Sequence, residues 1–165
     1  MTTVYLSLGS NMGDRRENIA HAIRELEPHG VRVTRQSSLY ETEPFDVPPE
    51  LENQAWFLNG VVEAETDVSP EQLMRALLDI ERSLGRERRV PKGPRLIDID
   101  ILLFGFQVVH SPGVEIPHPR MARRRFVLAP LAEIAPDARH PVLNNTVEEI
   151  LEAVADRGEV RKYVF

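Results

Sequence analysis

The chain has 165 residues, a formal net charge of -6 and a sequence pI near 5.4, and it contains no cysteine. That length favours one domain over residues 1–165 with a substantial core. The acidic balance argues against a general nucleic-acid-binding protein, which usually has a basic surface. The absence of cysteine excludes disulfides, thiolate nucleophiles and zinc–thiolate sites.

The start of the chain has neither the basic segment nor the long apolar segment of a signal peptide, and no apolar run reaches membrane-spanning length. We therefore expect a cytoplasmic protein that binds no membrane, and we expect a monomer that binds no nucleic acid. Positive charge is concentrated between Arg82 and Arg95 and between Arg120 and Arg125. Such basic islands in an acidic chain are expected when a small polyanion is drawn into one site.

The first third of the chain predicts two strands around a helix. Val4 to Leu8 alternates as a strand and ends in a turn at Gly9-Ser10-Asn11. Asp14, with Glu17 three residues on, has the form of a capping box, and apolar residues follow at helical spacing. Strand formers fill 31–40, and three prolines within 41–54 predict a loop.

The rest of the chain continues the alternation of strands and helices. A strand is predicted over 56–66, and Ser69-Pro70 begins a helix that ends at Gly85. A strand over 96–104 should form a hairpin with Val108-Val109. Beyond it, we expect an extended segment over 116–119, mixed short helix and loop over 121–135, and a last helix from Thr146.

The order of these elements predicts the fold class. Strand, helix, strand, strand, helix, strand is the order of the ferredoxin-like βαββαβ core. We therefore predict an α+β fold with a mostly antiparallel sheet, helices on one face of it and a C-terminal extension.

Two acids, Asp98 and Asp100, lie inside the most apolar run of the chain, Leu96 to Phe104. An ionised carboxylate removed from water is normally paired or bound to a metal. Side chains two apart on a strand point the same way, so the two carboxylates would form a pair suited to a hard divalent cation such as Mg²⁺. With the arginines immediately upstream, this pattern indicates phosphoryl chemistry. The alternatives are protection of a sheet edge or ion pairs with those arginines.

Several segments together resemble a known family over nearly the whole chain. The most specific is Gly93-Pro94-Arg95 followed directly by Leu96-Ile97-Asp98-Ile99-Asp100. The others are Gly9-Ser10-Asn11, Ser37-Ser38-Leu39-Tyr40-Glu41-Thr42, Phe57-Leu58-Asn59 and Ile116-Pro117-His118-Pro119-Arg120-Met121. The chain resembles the 6-hydroxymethyl-7,8-dihydropterin pyrophosphokinases of folate biosynthesis. The resemblance implies transfer of pyrophosphate from ATP to the pterin, with release of AMP.

By the same resemblance, Asp98 and Asp100 would be ligands of two Mg²⁺ ions that hold the triphosphate. Metal ions and guanidinium groups suit this reaction because they neutralise phosphate charge and fix its geometry. Arg86, Arg95, Asp98 and Asp100 would be the catalytic residues. The ATP-binding residues would be Glu81, Arg86, Arg88, Arg95, His118 and Arg124.

A flat heteroaromatic substrate needs aromatic faces above and below it and a few in-plane hydrogen bonds. By resemblance, Phe57 and Phe126 are the stacking pair and Asn59 reads the pterin edge. Thr42 and Phe45 would line the same pocket.

Two other functions are compatible with this fold class. A metal-dependent nucleotidyl transferase or nuclease can also carry acids on a ferredoxin-like sheet. A non-catalytic RNA-binding module of similar topology is disfavoured by the acidic charge and the absence of an aromatic RNA-binding motif.

Overall fold

The structure is a computed structural model that describes residues 1–44, 48–51, 54–85 and 96–163. Four helices and eight strands are present in this described part of the chain. In chain order they are β1 (Thr2–Ser10), α1 (Arg15–Leu26), β2 (Val31–Gln36), β3 (Tyr40–Thr42), β4 (Phe57–Thr66), α2 (Pro70–Ser83), β5 (Asp98–Phe104), β6 (Val109–Ser111), β7 (Val114–Ile116), α3 (Arg125–Ile134), α4 (Val147–Ala153) and β8 (Val160–Lys162).

The main sheet has six antiparallel strands. Along the sheet the order is β5, β1, β4, β3, β8, and β2 also pairs with β4. β2 pairs with residues 62–66 of β4 and β3 pairs with residues 57–59, so β2 and β3 follow one another along the same edge of β4. The predicted α+β class with an antiparallel sheet is confirmed.

The helix starts follow local capping chemistry. Asp14 accepts a hydrogen bond from the Glu17 amide at the start of α1, 3.1 Å away. Ser69 and Thr146 form complete capping boxes at the starts of α2 and α4. These caps satisfy backbone N–H groups that have no partner within the helix, which is why they could be predicted from neighbouring residues alone.

The two faces of the sheet are covered by different helices. Val4, Leu6 and Leu8 of β1 are buried with residues of α1 and α2 in one apolar cluster. Tyr5, which points the opposite way, packs in a second cluster with α3. The prediction of helices on one face is therefore wrong. We name the two sides the α1–α2 face and the α3 face.

β5 contains a bulge that changes which residues face each side. Tyr5 pairs with Leu103 and Leu6 pairs with Ile101, so Leu102 is an extra residue between two regular stretches. The N-terminal stretch places Asp98 and Asp100 on the α3 face, and Ile99 on the α1–α2 face.

Three sequence predictions are corrected by tertiary pairing, and one strand was not predicted. β1 extends through Gly9 and Ser10, where a turn was predicted. The predicted strand over 31–40 ends at Gln36 and resumes as β3. β6 pairs with β7 rather than with β5, so the predicted hairpin of β5 with Val108-Val109 is wrong. β8, which no local pattern indicated, pairs with β3. Among the described helices, none is long and apolar enough to cross a membrane.

Candidate active site

One row of residues crosses four strands on the α3 face. Tyr40 on β3 pairs with Asn59 on β4, Asn59 pairs with Gly9 on β1, and Gly9 pairs with Asp98 on β5. Directly opposed residues share a face of the sheet, and neighbouring strands lie about 4.8 Å apart. Asn59 and Asp98 therefore lie two strands, or about 10 Å, apart on one surface.

Gly9 leaves space between these two side chains. A Cβ atom at this position would lie 2.5 Å from Asn59 Oδ1 and 3.6 Å from Phe57 Cδ1. The first distance is too short for any non-bonded contact, so a side chain at Gly9 would displace the Asn59 amide. The glycine is needed here for close packing within a strand, which the sequence did not reveal.

The Asn59 side chain is held by the protein itself. Its Nδ2 donates a 2.6 Å hydrogen bond to Thr42 Oγ1, and Thr42 is buried on the neighbouring strand. Phe57 pairs with Thr42 and lies on the same face, partly exposed. The structure therefore brings together Thr42, Phe57 and Asn59, three of the five predicted pterin-binding residues. In this arrangement Thr42 orients Asn59.

The two acids lie at the other end of the row and are not buried. Asp98 pairs with Gly9 and Asp100 with Ser7, while Ile97, Ile99 and Ile101 are buried behind them. The Asp100 side chain is 39% exposed. Although the acids lie within an apolar run of the sequence, their side chains are not in the core: β5 alternates, with carboxylates on the accessible side and isoleucines on the other.

His118 lies beside the acids in a fixed orientation. Its backbone N–H donates a 3.0 Å bond to the carbonyl of Leu102 in the β5 bulge, and its Nδ1 accepts a 3.1 Å bond from the Arg120 amide. Burial and the positive charges of Arg124 and Arg120 lower the pKa of His118 to about 4, and the negative charge of Asp98 opposes this shift. The imidazole is therefore neutral at neutral pH, with its proton on Nε2, 4.0 Å from Asp100 Oδ2. This distance is too long for a hydrogen bond between His118 Nε2 and the Asp100 carboxylate.

Arg124, just before α3, completes the charged end of the site. Its guanidinium interacts with both Asp100 and Asp98, although burial lowers the pKa of Arg124 from its ordinary value. Its Nε is buried and has no hydrogen-bond partner among the described residues. The same guanidinium lies 5.5 Å from the centre of the Phe126 ring.

The position of α3 is set from its far end. Glu133 accepts hydrogen bonds from the Tyr40 hydroxyl at 2.5 Å and from the Ser38 amide at 2.9 Å. Tyr40 is itself the β3 member of the row across the sheet. β3, which carries Thr42, the hydrogen-bond partner of Asn59, and α3, which carries Phe126, are thus joined directly.

Comparison with known proteins identifies the family. The family model for 7,8-dihydro-6-hydroxymethylpterin-pyrophosphokinase (HPPK) matches residues 5–136, which include all the residues of the candidate site described above. The chain belongs to the HPPK family. The family prediction made from the sequence motifs is thereby confirmed.

Individual relatives agree with this membership. The 2-amino-4-hydroxy-6-hydroxymethyldihydropteridine pyrophosphokinase of Bacillus subtilis is 47% identical over 131 residues, which is 79% of this chain and 76% of that protein. The folic acid synthesis protein fol1 of Pneumocystis carinii is 40% identical over 153 residues, 93% of this chain. The chain spans only 20% of that fungal protein.

Solved structures show the same fold. The crystal structure of wild-type HPPK-DHPS from Plasmodium falciparum superimposes with a TM-score of 0.70 at 18% identity. The match includes 92% of this chain and 44% of that chain.

Glu81, a predicted ATP-binding residue of this HPPK chain, is buried and lies against β5. It is only 3% exposed, and its Oε2 accepts a 2.8 Å bond from the amide of Ile99, the residue between the two aspartates. The carboxylate therefore supports the backbone of the acid-bearing strand. ATP binding by Glu81 stays a prediction.

Four predicted site residues lie outside the described residues. They are Phe45 of the pterin set and the arginines Arg86, Arg88 and Arg95 of the ATP set.

A separate cavity lies away from the candidate site. It has a volume of about 310 Å³ and is bordered by α1 and by the Ser37–Leu39 segment between β2 and β3. Leu8 and Val62 line it, which places it at the α1–α2 face. None of the predicted site residues lines this cavity.

Proposed function

We propose that this chain transfers the pyrophosphoryl group of ATP to the hydroxymethyl oxygen of 6-hydroxymethyl-7,8-dihydropterin and releases AMP. The observation that carries the proposal is the row across the sheet. It places a hydrogen-bonding amide and a carboxylate pair about 10 Å apart on one surface, with a glycine between them. An amide can identify a heterocycle edge, and carboxylates can hold the cation that accompanies a polyphosphate.

The pterin would bind at the Asn59 end. Asn59 has one amide donor committed to Thr42, which leaves its other amide hydrogen and its carbonyl oxygen for a ligand edge. Phe57 and Phe126 both lie on the α3 face and would stack on the two sides of the ring. Phe45 would line the same pocket.

The triphosphate would bind at the Asp98 end. Within the described residues, no group of three or more histidine and acidic side chains could hold a metal ion. Two carboxylates nevertheless fit Mg²⁺, which is commonly held by one or two protein carboxylates together with phosphate oxygens and water. Asp98 and Asp100 would hold two Mg²⁺ ions in this way. When bound, Mg²⁺ neutralises phosphate charge and orients the reacting oxygens.

The remaining charged groups would bind phosphate oxygens. Arg124 stays protonated at any physiological pH, and its guanidinium interacts with both aspartates. Neutral His118 can donate a hydrogen bond from Nε2 without adding charge next to Asp100. Arg86, Arg88 and Arg95 would supply further guanidinium groups, and Arg86 and Arg95 would act on the transferred group. Glu81 would bind on the nucleotide side while it holds β5.

Product analysis tests the reaction. Incubation with ATP, Mg²⁺ and 6-hydroxymethyl-7,8-dihydropterin should give AMP and a pterin pyrophosphate in equal amounts. Release of pyrophosphate with nucleotide attached to the acceptor would instead identify a nucleotidyl transferase. Accumulation of ADP would contradict transfer of a pyrophosphoryl group. A single domain over 1–165, a monomeric state and a cytoplasmic location stay predictions.

A further inference from the structure

Arg15 stands in an unfavourable place on α1. It is the first residue of the helix and is followed by Arg16, where the positive end of the helix dipole disfavours cations. A residue that breaks a local rule commonly has a compensating tertiary role. Arg15 belongs neither to the charged end of the site nor to the row across the sheet.

The Arg15 guanidinium joins β3 to the residue just before β4, at the Asn59 end of the site where the pterin would bind (the pterin end). Its Nη1 donates a 3.0 Å bond to the carbonyl of Trp56, the residue before Phe57, and its Nη2 donates a 2.8 Å bond to Glu41 Oε2. Both the Arg15 and the Glu41 side chains are 23% exposed. One planar group therefore holds the backbone at the start of β4 and a carboxylate on β3.

A second set of contacts supports the same place. Glu41 Oε1 lies 3.5 Å from Arg161 Nη2 on β8, and the Arg161 guanidinium lies 4.9 Å from the centre of the Trp56 ring. Asn11 Nδ2 donates to the carbonyl of Ala55 at 3.0 Å. The segment that leads into Phe57 is thus held from two distant parts of the chain, by Asn11 and Arg15 on one side and by Arg161 on the other.

These contacts lie behind the site rather than within it. Glu41 alternates with Tyr40 and Thr42 along β3, so its side chain points to the α1–α2 face, away from Asn59. In register, Glu41 pairs with Leu58 and Thr42 pairs with Phe57. Any movement of Glu41 or of the Trp56 carbonyl is therefore passed along the backbone to Thr42 and Phe57.

We propose that Arg15 and Glu41 are positioning residues for the pterin. Their ion pair fixes the backbone at the start of β4 and so sets the places of Phe57, Asn59 and Thr42. The inference rests on the proposed pterin site. It predicts that loss of the pair weakens binding of the pterin and leaves binding of the nucleotide unchanged.

The test uses Arg15→Gln, which removes the guanidinium, and Glu41→Gln, which removes the charge with almost no change in size. The dissociation constants of 6-hydroxymethylpterin and of a non-hydrolysable ATP analogue with Mg²⁺ are measured by calorimetry, with circular dichroism to confirm folding. Each variant should weaken pterin binding about tenfold, because charge-assisted hydrogen bonds of this kind contribute on that scale. Binding of the ATP analogue should stay within about twofold of the parent, a change within the scatter of surface substitutions.

Two further variants separate positioning from simple stabilisation. Arg15→Lys restores the charge but not the planar fork, so pterin binding should stay impaired. Arg24→Gln removes an arginine–glutamate pair from the exposed side of the same helix, where Arg24 Nη2 lies 2.7 Å from Glu17 Oε1. That control should bind both ligands as the parent does.

The outcomes distinguish this inference from the proposed function. Asn59→Ala tests the pterin site directly and should also weaken pterin binding. If it does while Arg15→Gln and Glu41→Gln bind the pterin normally, the positioning role is wrong and the site stands. Equal weakening of pterin and ATP analogue in these variants, or full rescue by Arg15→Lys, would also overturn the positioning role. If Asn59→Ala binds the pterin normally, both proposals fall.

Discussion

The two ends of the candidate site are built in different ways. At the Asn59 end, where the pterin is proposed to bind, neutral groups are already bonded to one another: Asn59 donates to Thr42, and Gly9 has no side chain to displace the Asn59 amide. At the Asp98 end, where the triphosphate is proposed to bind (the phosphate end), two carboxylates interact with the Arg124 guanidinium, whose Nε has no partner among the described residues. A neutral ligand is recognised by hydrogen-bonding groups that are already in place. A polyanion with its cations is instead bound by charged groups that the folded protein already presents. Substitutions should therefore act differently at the two ends.

The largest effect is expected at the phosphate end. Asp98→Asn and Asp100→Asn each keep the side-chain shape but remove the charge that would hold Mg²⁺. Turnover should fall by at least about a thousandfold, because charge neutralisation and alignment supply most of the catalysis in such transfers. The thermal midpoint should stay near that of the parent, since Asp100 is 39% exposed.

Turnover at saturating Mg²⁺ and thermal unfolding together check this prediction. Asp79→Asn is the matched control, because Asp79 is an exposed acid on α2 that pairs with Arg82. If either site variant kept a turnover within about tenfold of the parent, the metal role would be contradicted. A tenfold change in rate corresponds to a barrier change of only about 1.4 kcal/mol.

Arg124→Gln should have the next largest effect. It removes a guanidinium that interacts with both aspartates. Turnover should fall about a hundredfold, the usual cost of one electrostatic stabiliser of a transition state. Arg123→Gln, an exposed neighbour, provides the comparison in the same steady-state assay. Equal losses of turnover in the two variants would show that the loss comes from removing a positive charge and not from the position of Arg124 in the site.

Gly9→Ala should damage the pterin end and spare the other. The new methyl group would lie 2.5 Å from Asn59 Oδ1, so the amide must rotate and lose its bond to Thr42. Pterin affinity should fall about tenfold, and binding of an ATP analogue should be unaffected. Calorimetry with each ligand measures both. A loss of ATP analogue binding as large as the loss of pterin binding would mean that the two ends are not independent.

The smallest effect is expected at His140, which is not among the candidate-site residues. Burial lowers the pKa of this histidine from its ordinary 6.5, and its Nδ1 accepts hydrogen bonds from the amides of Val142 and Leu143. Because the folded-state pKa lies below the unfolded one, its stabilising contribution is complete above pH 6.5 and is lost as the pH falls through the folded-state value. His140→Asn can accept the same bonds but does not titrate in this range.

Denaturant unfolding at a series of pH values tests this. The free energy of unfolding of the parent, minus that of His140→Asn, should decrease as the pH falls from 8 to 5, while turnover at pH 8 is the same in both. A difference that is constant over this range would show that His140 does not contribute to the pH dependence.

Much of the fold and part of the candidate site could be predicted from residues that are close together in the sequence. Helix starts at Asp14, Ser69 and Thr146 depend on groups within three residues of each other, so the caps could be identified in the sequence. The shared direction of Asp98 and Asp100 follows from the two-residue repeat of a strand.

Other features could be determined only by the tertiary structure, because they depend on residues far apart in the chain. The bulge at Leu102 exists only relative to β1, and the strand Val160–Lys162 exists only because β3 offers an edge. Likewise, position 9 needs a glycine because a Cβ atom there would collide with Asn59, which is fifty residues away in the sequence. No local sequence pattern indicates that contact. Local chemistry determined where elements begin and which way their side chains alternate. Packing between distant segments determined which of those side chains meet, because contact energies depend on spatial rather than sequence neighbours.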